Sequence, residues 1–289
     1  MSYDSQITRF SVPNMGRFYP YSYNGEYLCE NICTNTLYSL GIGMNNSPHL
    51  MTVCQLLYIL DLQRKGCNVQ IVLGDLDVLL ARCFIVDLDL IGRYKDFIIN
   101  LGFAEDTIVR TQSENQETAL SVPLISSVVE DSDFDALSEP YDKIYNRQMT
   151  YKSKLSFVLM AADFITPILN NKVNNVCMVG GIDEGKYAVW SDVLLQRILH
   201  DNKKHVCGLF TEVNVPGLNG HPKMSKSIPE SAIFMSDENN VIENKIMSIQ
   251  SDNMLRMIAA SLGLSLSDTE IRSTLINEVI NLSNKWNNK

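Results

Sequence analysis

The chain has 289 residues, of which 45% are hydrophobic and 20% charged, the balance of an ordinary globular protein large enough for one big domain or a big and a small one. Its net charge of −9 and pI near 5.0 argue against strong nonspecific binding to nucleic acid over the whole surface, while leaving room for a local basic face. No apolar run approaches the ~20 residues needed to span a bilayer, and Met1–Ser5 has neither the basic nor the apolar region of a secretory signal, so a cytoplasmic protein without membrane contact is expected.

Residues 1–35 are rich in Tyr, Asn and Pro with weak periodicity, and read as an irregular arm. Leu37–Ile42 is a short apolar run of strand type, broken at Gly43-Met44-Asn45-Asn46. Ser47-Pro48 reads as a helix start, with Ser47 as N-cap and Pro48 at the first helical position. Leu50, Val53, Cys54, Leu57 and Leu60 follow at helical spacing, predicting an amphipathic helix over 48–65 that Gly66 ends. Val69–Leu73 is a second strand. Strand, helix and strand in so short a stretch make a βαβ unit, which implies a parallel sheet with ligands at the carboxyl ends of its strands.

Helix is again expected over 88–101, and strand over 108–110. The 111–150 stretch is polar and acidic (Glu130, Asp131, Asp133, Asp135, Glu139), with Lys143, Arg147, Lys152 and Lys154 following. A solvated helical hairpin and an interface or RNA-facing insertion both fit that change of sign. Then come a helix over 156–168, a strand over 176–179 ending in Gly180-Gly181, a helix over 187–198 and a strand over 206–210. Beyond 227 the chain reads as mostly helical, with amphipathic stretches at 253–262 and 267–281, the latter capped by Ser267 or Asp268. The seven cysteines suit reduced thiols, and Cys29 and Cys33 lack a second pair at zinc spacing, so no metal site is expected.

The run Pro216-Gly217-Leu218-Asn219-Gly220-His221-Pro222-Lys223-Met224-Ser225-Lys226-Ser227 sets two lysines and two serines on a glycine-flanked loop. Cations and hydroxyls so placed suit a nucleotide triphosphate, and a mobile loop can close as charge builds on pyrophosphate. A basic surface loop has the same composition. His49 lies in the first turn of the helix after the first strand, where backbone N–H groups favour phosphate.

Lys223–Ser227 resembles the second signature of class I aminoacyl-tRNA synthetases letter for letter, and its Pro-Gly-Leu-x-Gly lead-in is also similar to that family. His49-Leu50-Met51-Thr52 stands where the family carries its His-x-Gly-His tetrad, with Met51 and Thr52 departing from it. Lys65–Asp77 resembles the second strand and acidic turn of tyrosyl enzymes, and Gly180-Gly181-Ile182-Asp183-Glu184 their Gly-Gly-x-Asp-Gln turn. Leu159-Met160-Ala161-Ala162-Asp163 is similar to the pocket helix of bacterial tryptophanyl enzymes. Ile228–Phe234 looks like archaeal tryptophanyl enzymes, and Tyr38 has the tyrosyl spacing to His49.

The resemblance implies a Rossmann-like parallel α/β fold with a small C-terminal helical region: an arm over 1–35, a catalytic domain over 36–227 with a helical insertion near 111–155, and a helical tail over 228–289. It implies ATP-dependent activation of tyrosine or tryptophan, with Mg²⁺ on the ATP phosphates and transfer to tRNA. His49, Lys223 and Lys226 would be catalytic. Thr52, Gly181, Asp183, Ser225 and Ser227 would meet ATP, and Tyr38, Asp75, Met160, Asp163 and Glu184 the amino acid. A homodimer is implied, with 111–154 as a candidate face. The tail is short for an anticodon-reading domain. A paralogue that activates an amino acid for another acceptor, and an impaired amino-acid or RNA binder, are the rival expectations.

Overall fold

The computed structural model describes residues 3–10, 12, 19–29, 34–137, 149–212, 215–226, 228–264 and 270–287. The chain divides into two compact units, one of residues 1–43, 62–86 and 107–212, the other of residues 44–61, 87–106 and 213–289. The boundary at Asp61 and Leu62 falls inside a helix, Leu50–Arg64.

The first unit is built on a sheet. Its strands are β1 (Tyr21–Tyr23), β2 (Thr36–Gly43), β3 (Asn68–Gly74), β4 (Ile108–Thr111), β5 (Asn175–Gly181) and β6 (His205–Thr211), in the spatial order β1-β6-β5-β2-β3-β4. All pairings are parallel except β1 with β6. Near-continuous apolar runs such as Ile71-Val72-Leu73 and Val176–Val179 are what a parallel sheet covered on both faces requires, and every residue of β5 is buried. From β2 the chain proceeds outward one way through β3 and β4, then returns to build β5 and β6 on the other side. The sheet therefore reverses direction at β2 and β5, where open α/β sheets leave a crevice at their carboxyl ends.

The described residues of the 1–35 stretch hold regular structure that its weak periodicity does not predict. Tyr21–Tyr23 adds an antiparallel edge to β6, with Tyr21 opposite Phe210, and a short helix α1 (Gly25–Cys29) follows. Three residues cannot display a period; their pairing with β6 makes them a strand. The Tyr23 hydroxyl and the Asn24 side-chain amide both donate to Asp192, each at 3.0 Å.

The helix α2 (Leu50–Arg64) begins two residues later than Ser47-Pro48 predicts. Pro48 and His49 are held instead in strand-like pairing: Leu50 N–H donates to the Ile233 carbonyl at 2.8 Å, and Met235 N–H to the Pro48 carbonyl at 2.9 Å. His49 then serves as the cap, its Nδ1 accepting the Thr52 N–H at 3.2 Å. The Ser47 hydroxyl lies 2.7 Å from that of Ser236.

The other helices of the first unit are α3 (Asp75–Arg82), α5 (Gln116–Ser126), α6 (Asp131–Leu137), α7 (Tyr151–Leu169) and α8 (Gly185–Leu199); between α3 and α5 the chain forms α4 (Leu88–Leu101) of the second unit. Thr150 caps α7, accepting from Ser153 N–H, so that helix starts five residues before the apolar run does. Phe134, Ile165, Trp190 and Phe210 belong to the core cluster that α6, α7 and α8 build against the sheet. Glu139, Lys143 and Arg147 lie outside the described residues.

The second unit is helical: the start of α2, then α4, α9 (Asn239–Met247), α10 (Asp252–Ser261) and α11 (Ile271–Asn287). α11 packs on α4, α9 and α10. Trp286 of α11 sits edge-on to Tyr94 and Phe97 of α4, at 5.1 and 5.5 Å between centroids. The expected caps Ser267 and Asp268 lie outside the described residues. No described helix is long and apolar enough to cross a membrane.

Candidate active site

A cavity of about 130 Å³ opens at the carboxyl ends of β2, β3 and β5, lined by Ser39, Gly41 and Gly43, Val72 and Gly74, and Met178 and Val179. α7 contributes Met160, Asp163 and Phe164; Asp77, Gln112, Glu184 and Tyr187 complete the polar side. Among the described residues the lining includes three carboxylates and no Lys, Arg or His.

Asp163 lies in the apolar middle of α7 and is 3% exposed. Its Oδ1 is 3.0 Å from Nη1 of Arg110, and its Oδ2 accepts from Gln112 Nε2 at 2.7 Å. Burial raises its carboxyl above the usual range and the Asp77 charge adds to this, while Arg110 and Gln112 pull the other way. Gln112 also accepts the Asp77 N–H at 2.8 Å, so one amide spans both acids. Burial likewise raises the Asp77 carboxyl, against a hydrogen bond from Ser156 and the charge of Arg82.

Glu184 turns back over the end of β5, its Oε2 accepting from Gly181 N–H at 3.3 Å. A Cβ at Gly180 would come within 2.6 Å of that oxygen, so a side chain there would displace the Glu184 carboxylate. Asp183 beside it is exposed, and Gly181 is buried.

Two expected residues are not among those that line the cavity. Tyr38 is fully buried in β2, and strand alternation gives the cavity its neighbours Ser39 and Gly41 instead. Asp75 accepts from the backbone N–H groups of Gln112 at 2.9 Å and Ser113 at 3.2 Å, and from the Ser113 hydroxyl, so it ties down the turn after β4. Asp77, two residues on, holds the cavity wall. Arg110, Gln112 and Asp77 are not recognisable from local spacing. An unbalanced buried acid such as Asp163 signals that a cation is needed, without saying which.

The second unit carries the lysine loop. Gly217 N–H donates to the His221 carbonyl at 2.8 Å, and a Cβ at Gly217 would fall 2.6 Å from the Lys223 carbonyl oxygen. Met224 is buried and anchors the loop, Lys223 is exposed, and Ser225 N–H donates to the buried Ser231 hydroxyl at 2.9 Å. Ser227 lies outside the described residues. Lys226 Nζ donates to the Tyr94 hydroxyl at 2.9 Å and stands 5.3 Å from that ring's centre. The Tyr94 hydroxyl in turn donates to the Asn46 carbonyl at 2.8 Å.

His49 is held at about pKa 3, by burial first and then by the charges of Lys226 and Lys223. It is therefore neutral at pH 7. With Nδ1 accepting from Thr52, the proton is assigned to Nε2, which makes that nitrogen a donor. Thr52 thus fixes the orientation of the His49 ring.

A parallel α/β sheet with a cavity at its switch point, together with a capped helix start and a lysine loop that carry donors and cations, defines a nucleotide-using enzyme of the class I synthetase type. The family model for class I tRNA synthetases (W and Y) matches residues 40–288, and the chain belongs to that family. Its members are aminoacyl-tRNA ligases, and this chain is one that acts on an aromatic amino acid with ATP and tRNA. The fold is shared with tyrosyl-tRNA synthetase from Archaeoglobus fulgidus, solved with L-tyrosine (TM-score 0.74, 17% identity, 99% of each chain covered). It is shared also with tyrosyl-tRNA synthetase from Aeropyrum pernix (0.72, 14% identity, 94% of this chain and 91% of that one). The tryptophanyl enzyme of Aeropyrum pernix K1 is similar as well (0.67, 18% identity, 92% and 79%). No curated protein sequence matches the chain.

Proposed function

We propose that the chain joins tyrosine or tryptophan to ATP as an aminoacyl-adenylate and passes it to tRNA, with its residues divided between two tasks. The observation that carries this reading is the lysine loop, anchored by buried Met224 and with Lys226 held 2.9 Å from the Tyr94 hydroxyl, in the same compact unit as the His49-capped start of α2. The amino-acid carboxylate attacks the α-phosphate, and pyrophosphate leaves. Lys223 and Lys226 offset the charge that builds on the departing phosphates, and neutral His49 donates from Nε2. Ser225 and Ser227 belong to the same loop. Asp183 and Gly181 suit the ribose, an exposed acceptor beside a close backbone approach. Cations and N–H donors of this kind fit phosphate oxygens and not a metal, so Mg²⁺ arrives on the ATP phosphates.

The amino acid occupies the sheet-end cavity. Glu184 takes the α-ammonium, Met160 packs on the ring, and the ring's polar atom lies at the end formed by Asp77, Gln112 and Asp163. Tyr38 and Asp75 support the site from behind, by packing in β2 and by fixing the β4 turn. The chain works in the cytoplasm as a homodimer. ATP–pyrophosphate exchange with each of the twenty amino acids tests the reading. Exchange confined to tyrosine or tryptophan is expected; exchange with neither overturns it.

A further inference from the structure

We propose that Trp286, in the last turn of α11, is a positioning residue for adenylate formation: it fixes the Tyr94 hydroxyl on which Lys226 is held. The proposal rests on the reading of the lysine loop as the group that meets the departing phosphates. All the residues involved belong to the second unit. Tyr94 is fully buried in α4, and its one hydroxyl proton goes to the Asn46 carbonyl at 2.8 Å. The oxygen is left as an acceptor, the polarity that an ammonium needs, and Lys226 Nζ donates to it at 2.9 Å. Burial raises the Tyr94 phenol above its ordinary range, so this arrangement persists through neutral pH.

Where that hydroxyl stands depends on what holds its ring. Trp286 meets Tyr94 edge-on at 5.1 Å between centroids, and Phe97 at 5.5 Å. The Arg93 guanidinium lies 4.5 Å from the centre of the same indole, and its Nη2 is 3.5 Å from Asn287 Oδ1. The indole N–H is buried with no hydrogen-bond partner among the described residues. An unpaired buried donor has a cost that phenylalanine would not incur, so the position uses the indole for the reach of its ring. The same turn of α11 also supports the His49 segment. The Ser283 hydroxyl donates to the Met235 carbonyl at 2.9 Å, and Asn287 Nδ2 does so at 3.4 Å. Met235 N–H donates to the Pro48 carbonyl and Leu50 N–H to the Ile233 carbonyl, on either side of His49. One helix end thus braces the supports of both Lys226 and His49.

The test is pyrophosphate exchange in Trp286→Leu, or in Trp286→Met if the first does not fold, beside Lys226→Ala and the double variant. Equilibrium dialysis gives the Kd for ATP and for the amino acid in each. In the Trp286 variant kcat should fall about tenfold through misplacement of a charged group, while the Kd for the amino acid stays within about twofold. In the Lys226→Ala background the same change should bring no further loss of kcat. Trp286→Phe, which keeps an aromatic edge for Tyr94, should restore kcat to within about threefold of wild type. Leu275 is also buried, roughly 16 Å up the same helix, and Leu275→Ala should lower stability yet leave kcat unchanged. Unchanged kcat in the folded Trp286 variant overturns the proposal, as does a loss that adds in full to that of Lys226→Ala or that Leu275→Ala reproduces. If the wild-type chain binds ATP but gives no exchange, the activation reading fails and the Kd for ATP decides Trp286. A weakening that vanishes in the Lys226→Ala background then supports the proposal, and no weakening overturns it. If ATP does not bind, both fall.

Discussion

The cavity at the end of the sheet is acidic, apolar-walled and assembled from β2, β3, β5, α3, α7 and the turn after β4. The lysine loop is basic and comes almost entirely from one stretch, 215–226, stapled by Ser231. In the proposed function the first would read an amino acid with carboxylates that the fold has desolvated. The second would handle phosphate with cations that are not buried, Lys223 exposed and Lys226 half-buried. This difference explains why the two sites respond to the sequence so unequally. A loop that acts through local charge is visible as a string of letters, and a cavity that acts through burial is not.

The widest separation between the two should come from Lys226→Ala. Removing a charge that acts on the departing phosphates is expected to slow adenylate formation by about 10²–10³-fold. The Kd for the amino acid, measured by dialysis, should stay within about twofold, since the cavity is lined by other residues. A comparable loss of amino-acid affinity would erase the division of labour.

Arg197→Met probes the unit that holds the cavity without touching it. Arg197 Nη1 lies 2.7 Å from Asp133 Oδ2, and the Asp133 side chain is 4% exposed. Leaving that carboxylate unpaired should cost about 2–3 kcal/mol, read as a lower urea midpoint. Burial would raise the Asp133 carboxyl, but the Arg197 contacts and the Glu130 N–H hold it below the usual range. The pair's contribution is therefore full above the unfolded value of about 3.9 and fades as pH falls through the lower folded value. The gap between wild type and variant should narrow below about pH 4.

Tyr94→Phe keeps the ring against Trp286 and removes the hydroxyl that receives Lys226. A charge-assisted hydrogen bond of about 1.5 kcal/mol corresponds to a roughly tenfold loss of kcat, with KM for the amino acid unchanged. An equal loss in Lys226→Ala/Tyr94→Phe and in Lys226→Ala alone would show that the tyrosine acts through the lysine.

The smallest effect expected is on the pH profile. With His49 held near pKa 3, exchange between about pH 5.5 and 8 should carry no inflection from this imidazole. His49→Asn should therefore give a slower reaction with a profile of the same shape. An inflection near 6.5 that disappears in the variant would mean a cationic His49.

Among the fold's elements, the long apolar strands and helices of the βαβ unit were legible because burial on both faces leaves continuous runs of Val, Ile and Leu. Tyr21–Tyr23 was not, since an edge strand of three residues exists only through its partner β6. The start of α2 was misplaced for a related reason. Ser47-Pro48 has the right local chemistry, and the pairing of residues 48–50 with Ile233 and Met235 overrides it.

By itself the sequence determined the family, through Lys223–Ser227 and the placement of His49, because these are short segments whose chemistry travels with their spelling. It also determined that Asp163, an acid inside an apolar helix, must have a polar counterpart. Only the tertiary structure decided what that counterpart is. Arg110 and Gln112 reach Asp163 from a strand end more than fifty residues earlier. The same holds for Asp77 over Asp75 and Ser39 over Tyr38, neighbours that the phase of a helix or a strand sends to different surroundings. That phase is set by which faces the whole sheet and its helices bury, and no short stretch of sequence contains it.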